Sequence, residues 1–230
     1  MSNNDHARRA LVTGSSSGIG EAIARRLLRD GWGVCGFDRA PAKLEAPKFK
    51  SVTVDLADAV GLSRAVAAER DVTAFVHAAG YMRVAPLGAL DADEGAGMWR
   101  VHVQAAALLA NDIAPCLPAG GRIVLIGSRT ATGAAERSQY AATKAALVGM
   151  ARSWAIELAP RGVTVNVIAP AATDTPMLRD LARGEVMPRT PPIGRFVRPD
   201  EVAALTAFVL SEEAAAITGQ QLVICGGSSL

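Results

Sequence analysis

Short apolar runs alternate with amphipathic stretches along almost the whole chain. Arg9 to Thr13 is an apolar run, a Gly-rich turn follows, and Glu21 to Arg29 then sets Ile23, Leu27 and Leu28 at helical spacing. Gly33 to Phe37 and Val52 to Leu56 read as strands, Leu62 to Ala68 as a helix, and Val72 to Ala79 as a further strand. Met98 to Cys116 reads as one long helix stopped by Pro115 and Pro118, Arg122 to Gly127 as a buried strand, and Ser138 to Leu158 as a helix ended by Pro160. Val163 to Ala169, Glu201 to Leu210 and Gln221 to Cys225 complete the alternation as strand, helix and strand.

Apolar strands joined by helical crossovers are the mark of a parallel sheet covered on both faces. With right-handed connections this gives an α/β fold: a doubly wound parallel sheet of about seven strands with helices on both faces. The stretch after Asp38 leaves little room for a full helix before the third strand. The least regular segment is Asp174 to Pro199, which carries Pro176, Pro188, Pro191, Pro192 and Pro199. Its length suits a flap over a site.

The length of 230 residues, with no internal linker, suits a single domain spanning 1–230. Half the residues are hydrophobic, enough for a substantial core, and a formal charge of +2 with no basic run longer than a pair proposes no nucleic-acid or anionic-membrane partner. The polar start is unlike a signal peptide, and no apolar run reaches the roughly 18–20 residues of a spanning helix, so a cytoplasmic location is expected. Cys35, Cys116 and Cys225 are widely spaced within apolar segments and read as buried reduced thiols; nothing groups them with histidine into a metal site.

Thr13-Gly14-Ser15-Ser16-Ser17-Gly18-Ile19-Gly20 lies between the first strand and the first helix, where backbone amides and the helix dipole can hold a pyrophosphate. Gly14 would serve the turn, Gly18 the approach of phosphates, and Gly20 the packing of helix on sheet, with Ser16, Ser17 and Ile19 completing the cradle. Asp38 ends the second strand, where a carboxylate can accept both hydroxyls of an adenine ribose; this favours NAD over NADP, although Arg39 beside it could offset a 2′-phosphate. Asp55, with Leu56 beside it, ends the third strand and could bond the adenine amino group or else cap the helix starting near Ala57.

Tyr140 and Lys144 lie four apart on one helix, so both reach the same small region. An ammonium beside a phenol favours the phenolate and so suits proton transfer near neutral pH. Lys144 stands out because the other lysines, Lys43, Lys48 and Lys50, all precede residue 51, and arginine supplies every later basic side chain. Arginine's planar head would not offer the same compact charge. Ser128, at the carboxyl end of its strand, faces the crevice where ligands of open α/β sheets bind.

Thr13 to Gly20, His77-Ala78-Ala79-Gly80, Ser128, Tyr140-x-x-x-Lys144, and Pro170 with Thr175-Pro176-Met177 occur in the order and at the distances of the short-chain dehydrogenase/reductase family, which this chain resembles from end to end. The resemblance implies a Rossmann-type domain, an NAD(P)-dependent oxidoreductase interconverting a small-molecule secondary alcohol and ketone, and a homo-oligomer, tetramer or dimer. By that likeness Tyr140 is the general acid/base, Ser128 positions the substrate oxygen, and Lys144 assists the phenol and holds the nicotinamide ribose. Ala79 and Gly80 lie close to the cofactor, with Pro170, Thr173 and Thr175 near its carboxamide. A different class, a catalytically weak dinucleotide sensor, remains as the alternative.

The chain departs from the family pattern in three places. His102 stands where an asparagine usually supports a water relay behind the lysine, and it reads either as a modified relay with a second pH dependence or as a packed, hydrogen-bonded histidine. His77-Ala78-Ala79-Gly80 replaces an Asn-Asn-Ala-Gly segment, and Cys225 replaces an aspartate before Gly226-Gly227. Tyr81, Met82, Trp99, Met177 and Leu178 are candidates for an apolar wall. Arg83, Arg129, Arg179, Arg183 and Arg189 are candidates either to meet an anionic substrate or to be solvent-exposed flap residues.

Overall fold

The computed structural model describes residues 8–69, 71–180 and 189–230. Seven parallel strands form one sheet in the order β3-β2-β1-β4-β5-β6-β7. They are β1 (Arg9–Thr13), β2 (Gly33–Asp38), β3 (Phe49–Thr53), β4 (Ala74–His77), β5 (Arg122–Ile126), β6 (Thr164–Pro170) and β7 (Gln221–Ile224). The helices are α1 (Gly18–Arg29), α2 (Ala59–Ala67), α3 (Ala92–Trp99), α4 (Ala105–Ile113), α5 (Ser138–Leu158) and α6 (Pro199–Val209). This is the doubly wound parallel sheet that the hydrophobic pattern predicts.

The period of two along a strand sends alternate side chains to opposite layers. In β1, Leu11 joins Cys35, Phe37, Phe75, Ile123 and Leu125 in the core under α2, α4 and α5. Its neighbours Ala10 and Val12 join Val34, Ala74, Val76, Val124 and Ile126 in the core under α1 and α6. The central strands are covered on both sides and therefore read as continuous apolar runs. Strand order reverses between β1 and β4, which opens a crevice at their carboxyl ends.

The third strand is Phe49–Thr53 rather than Val52 to Leu56. It is an edge strand, only partly buried, so its ladder is not where the apolar residues are; Val54 and Leu56 are buried beyond its end, packed with α2. No helix separates β2 from β3, as the short interval requires. The expected helix Met98 to Cys116 begins earlier and changes pitch. Asp91 caps α3 by accepting from the amides of Asp93 and Glu94. Arg100–Gln104 is π-helical before α4 resumes, and Ala114–Cys116 is a 3₁₀ turn.

That turn is past the apolar face of the helix, so Cys116 is exposed and Cys225 only partly buried, contrary to the expectation of three buried thiols; Cys35 alone is buried, and all three are unbridged. Between β6 and α6, Thr173 bridges to Val197, so the two ends of the 174–199 segment are held together, with Pro176–Arg179 forming a 3₁₀ turn. No helix of the described residues is long and apolar enough to cross a membrane.

Candidate active site

The turn after β1 is shaped by close backbone approach. Gly14 has φ +70°, and a Cβ there would sit 2.8 Å from Ala79 Cα, so glycine lets the turn after β1 touch the turn after β4. Gly20 packs on the turn itself: its Cβ would fall 2.1 Å from the Gly14 carbonyl oxygen. Gly18, at φ +56°, faces Thr175 across the crevice.

One hydroxyl ties the two turns together. Thr13 and His77 are register partners on neighbouring strands. Thr13 Oγ1 accepts from the amides of Ala78 and Ala79, 3.1 Å each, and lies 3.0 Å from His77 Nδ1. His77 Nε2 lies 3.1 Å from the Val101 carbonyl, an acceptor in the π-helical segment, so Nε2 carries the proton and Nδ1 accepts from Thr13. Burial, with Lys144 nearby, pushes His77 down to about 3 and keeps the ring neutral. An imidazole therefore links β1, β4 and the wide turn of the helix.

His102 is likewise buried and used at both ring nitrogens. Nε2 accepts from the Tyr81 amide at 3.0 Å, which leaves Nδ1 protonated and donating to Thr143 Oγ1 at 2.8 Å. Thr143 in turn donates to the Tyr140 carbonyl at 2.8 Å. The His102 ring also meets the Tyr140 ring edge-on, centroids 5.7 Å apart. Burial and the Lys144 charge hold its ionisation well below the usual histidine range. His102 is thus packed and hydrogen-bonded at both ring nitrogens, in surroundings that disfavour its charged form.

Tyr140 and Lys144 share the buried face of α5, with Lys144 Nζ 5.8 Å from the Tyr140 ring centroid. The ammonium donates to the Ile126 carbonyl at the end of β5, 2.9 Å away, and burial lowers it from the usual lysine range to about 8. Ser128, two residues beyond β5, accepts from the Thr130 amide at 3.0 Å. That bond uses an oxygen lone pair and leaves the hydroxyl proton to donate.

These groups border one cavity of about 950 Å³. It runs past Gly14, Ser17, Gly18, Ile19 and Gly20, and past Asp38, Asp55 and Leu56. Ala79, Gly80, Ser128, Tyr140, Lys144, Pro170, Thr173 and Thr175 also line it. Ser16 is the exception among the expected residues. Its amide donates to Asp38 Oδ2 at 3.0 Å and its hydroxyl to the Ala40 carbonyl at 2.8 Å, so it buttresses Asp38 rather than facing the cavity. Asp38 Oδ1 accepts from the Ala40 amide, and Asp55 from the Ala57 amide, while Asp58 is the cap of α2.

Tyr81, Met82, Met177 and Leu178 line the cavity as expected, but Trp99 does not; it is exposed on α3. Arg129 and Arg189 line it, whereas Arg83 pairs with Glu94 and Asp180 and Arg179 pairs with Asp174. Arg183 lies outside the described residues. The sequence reading missed Arg137 and Glu136 at the wall and Thr143 behind it. Thr143 sits three residues after Tyr140, a helical spacing that could have flagged it. Among the described residues no cluster of His, Cys, Asp and Glu could hold a metal ion.

Residues 14–229 match a family model described as Enoyl-(Acyl carrier protein) reductase. The chain is 34% identical over 238 residues to 2,3-dihydro-2,3-dihydroxybenzoate dehydrogenase of Escherichia coli K12, covering 95% of this chain and 96% of the relative. Among solved structures it is similar to a short-chain dehydrogenase from Burkholderia cenocepacia in complex with NADP, with TM-score 0.85, 36% identity, and 97% of this chain and 98% of that one covered. It is also similar to 3-ketoacyl-(acyl-carrier-protein) reductase from Brucella melitensis complexed with NADH, with TM-score 0.87, 27% identity and the same coverage.

Proposed function

Since this chain belongs to the short-chain dehydrogenase/reductase family and is an NAD(P)-dependent oxidoreductase, we propose that it interconverts a secondary alcohol and a ketone, with Tyr140 as general acid/base. The observation that carries this reading is the shared cavity wall of Ser128, Tyr140 and Lys144, continuous with the glycine turn. No observation favours the sensor alternative.

The cavity suits a dinucleotide. A Cβ at Gly14 would collide with the facing turn, the start of α1 opens onto the cavity, and Asp38 stands at the far end with its carboxylate oriented by two amides. Asp38 would hold the adenine ribose, Asp55 and Leu56 the adenine side, Gly14, Ser17, Gly18, Ile19 and Gly20 the phosphates, and Ala79, Gly80, Pro170, Thr173 and Thr175 the nicotinamide end. Both NADP and NADH occur in complexes of similar proteins. The Asp38 carboxylate supports NAD, because a 2′-phosphate there would meet like charge. When bound, the nicotinamide supplies or accepts the hydride.

The chain's own residues handle the oxygen. Ser128 donates its hydroxyl proton to the substrate oxygen, and Tyr140 gives a proton to that oxygen in reduction or takes it in oxidation. Lys144, fixed by the Ile126 carbonyl, places a positive charge that favours release of the phenol proton. His102 and Thr143 hold Tyr140 through the backbone of its own helical turn. Residues 181–188 of the expected 174–199 flap lie outside the described residues; Thr175, Pro176, Met177, Leu178, Arg189 and Thr190 line the cavity, which supports a flap that helps exclude water. We propose that residues 1–230 act as one domain and that the assembly is a homotetramer or dimer through α4 and α5, a reading supported by the exposed Ile156 on α5. The three unbridged thiols fit a cytoplasmic setting.

The test is a nicotinamide-absorbance screen of the purified chain over polyols, hydroxy acids, steroids and cyclic diols. Turnover of at least one alcohol or ketone is expected. Tight NADH binding with silence on every member would instead favour a sensor.

A further inference from the structure

Among the described residues, most partly buried guanidinium groups have acceptors. Arg9 pairs with Glu69, Arg26 with Asp30, and Arg83 with Glu94 and Asp180, while Arg122 donates to the carbonyls of Gly120 and Gly121. Among the described residues, Arg129 and Arg137 are partly buried with no carboxylate or carbonyl bonded to the guanidinium. Both line the cavity at its reactive end. Arg129 directly follows Ser128 in a turn packed on α5, and Arg137 precedes the first residue of α5, one helical turn before Tyr140.

The donors of both guanidiniums are left for a ligand, and an anion that supplies two acceptor oxygens matches their planar fork. The nearby charges leave the need unmet. Lys144 and Arg189 add positive charge to the same wall, and Glu136, the acidic residue at this end, is exposed and has no ion pair among the described residues. Asp174 and Asp180 are committed to Arg179 and Arg83.

Resting on the oxidoreductase reading above, we propose that the substrate carries an anionic group, a carboxylate or phosphate ester, which Arg129 and Arg137 bind while the carbonyl or carbinol oxygen meets Ser128 and Tyr140. The anion fixes which end of the substrate faces Tyr140, so charge selects the substrate as well as binding it.

Matched pairs test this: acetoacetate against methyl acetoacetate, and dihydroxyacetone phosphate against dihydroxyacetone, each assayed for NADH- and NADPH-linked reduction. The anionic member of one pair should exceed its neutral partner at least about thirtyfold in kcat/KM, and which pair does so identifies carboxylate or phosphate. Arg129→Ala and Arg137→Ala should each reduce that ratio about tenfold, through KM. Arg29→Ala, at the exposed end of α1 and away from the cavity, should leave it unchanged. A dead-end complex of NAD⁺ with the same anions, read by titration calorimetry, should weaken in the double variant.

Equal use of charged and neutral members, or a ratio insensitive to both arginines, overturns the proposal while leaving Tyr140's role intact. Loss of Tyr140's role has a different signature: Tyr140→Phe would retain turnover on charged and neutral members alike.

Discussion

Replacing Thr13 by valine keeps the shape and β-branching of the side chain and removes one oxygen. In the structure that oxygen accepts from Ala78 and Ala79 and donates to His77, all across 64 to 66 residues of sequence. His77 cannot compensate by moving its proton to Nδ1, because Nε2–H is engaged by the Val101 carbonyl. Each buried group left without a partner costs about 1–3 kcal/mol. Ala79 and His77 are buried and Ala78 only partly so, giving a total of about 4 kcal/mol. That is a large share of the roughly 5–15 kcal/mol that holds a typical domain together. Urea unfolding should report the loss directly, and for a chain of this size thermal melting should fall by about 8–16 °C. Thr13→Ser, which keeps the oxygen, should lose only about 1 kcal/mol for its missing methyl. If Thr13→Val unfolds within about 1 kcal/mol of wild type, the hydroxyl is not the tie between the two turns.

Two further outcomes follow from the site. Asp38→Ala should lower the NAD-over-NADP ratio in kcat/KM at least about tenfold, and an unchanged ratio would mean that Asp38 does not meet the ribose. Lys144 loses its proton near pH 8 when folded, against about 10.5 when unfolded. Between those values the unfolded chain holds more protons, so Lys144 destabilises the fold below about pH 8 and this penalty is relieved as pH rises. The unfolding free energy of wild type minus that of Lys144→Met should therefore increase from pH 8 to 10, and a flat difference would contradict the burial of a charged amine.

The parts legible in the sequence are those with local causes. The glycine turn and the Tyr140–Lys144 pair depend on spacing within one turn or one helix, and the central strands are covered on both faces, so their apolar runs mark them. The misplacement of β3 came from the reverse condition. Phe49–Thr53 is an edge strand with a mixed face, whereas the apolar Val54 and Leu56 pack on α2 after the ladder ends. The start of α3 was hidden by Gly95 and Gly97, which weaken a helical pattern although Asp91 caps it.

Neither the π-helical step nor the histidine bonds were legible, because hydrophobic periodicity does not record which carbonyl a wider turn releases. Val101's acceptor becomes meaningful only when His77 lies beside it. Ser16 was expected to line the cavity because it lies within the turn, but its amide and hydroxyl serve Asp38 and Ala40, reached 22 and 24 residues later.

The central claim is that the Tyr140 hydroxyl moves the proton at the substrate oxygen. Single-turnover reduction by NADH-loaded Tyr140→Phe, followed by nicotinamide absorbance alongside the affinity for NADH, tests it most directly. The rate should drop roughly a thousandfold while NADH affinity stays within a few-fold. A phenylalanine variant that reduces substrate within about tenfold of the wild-type rate would contradict the claim.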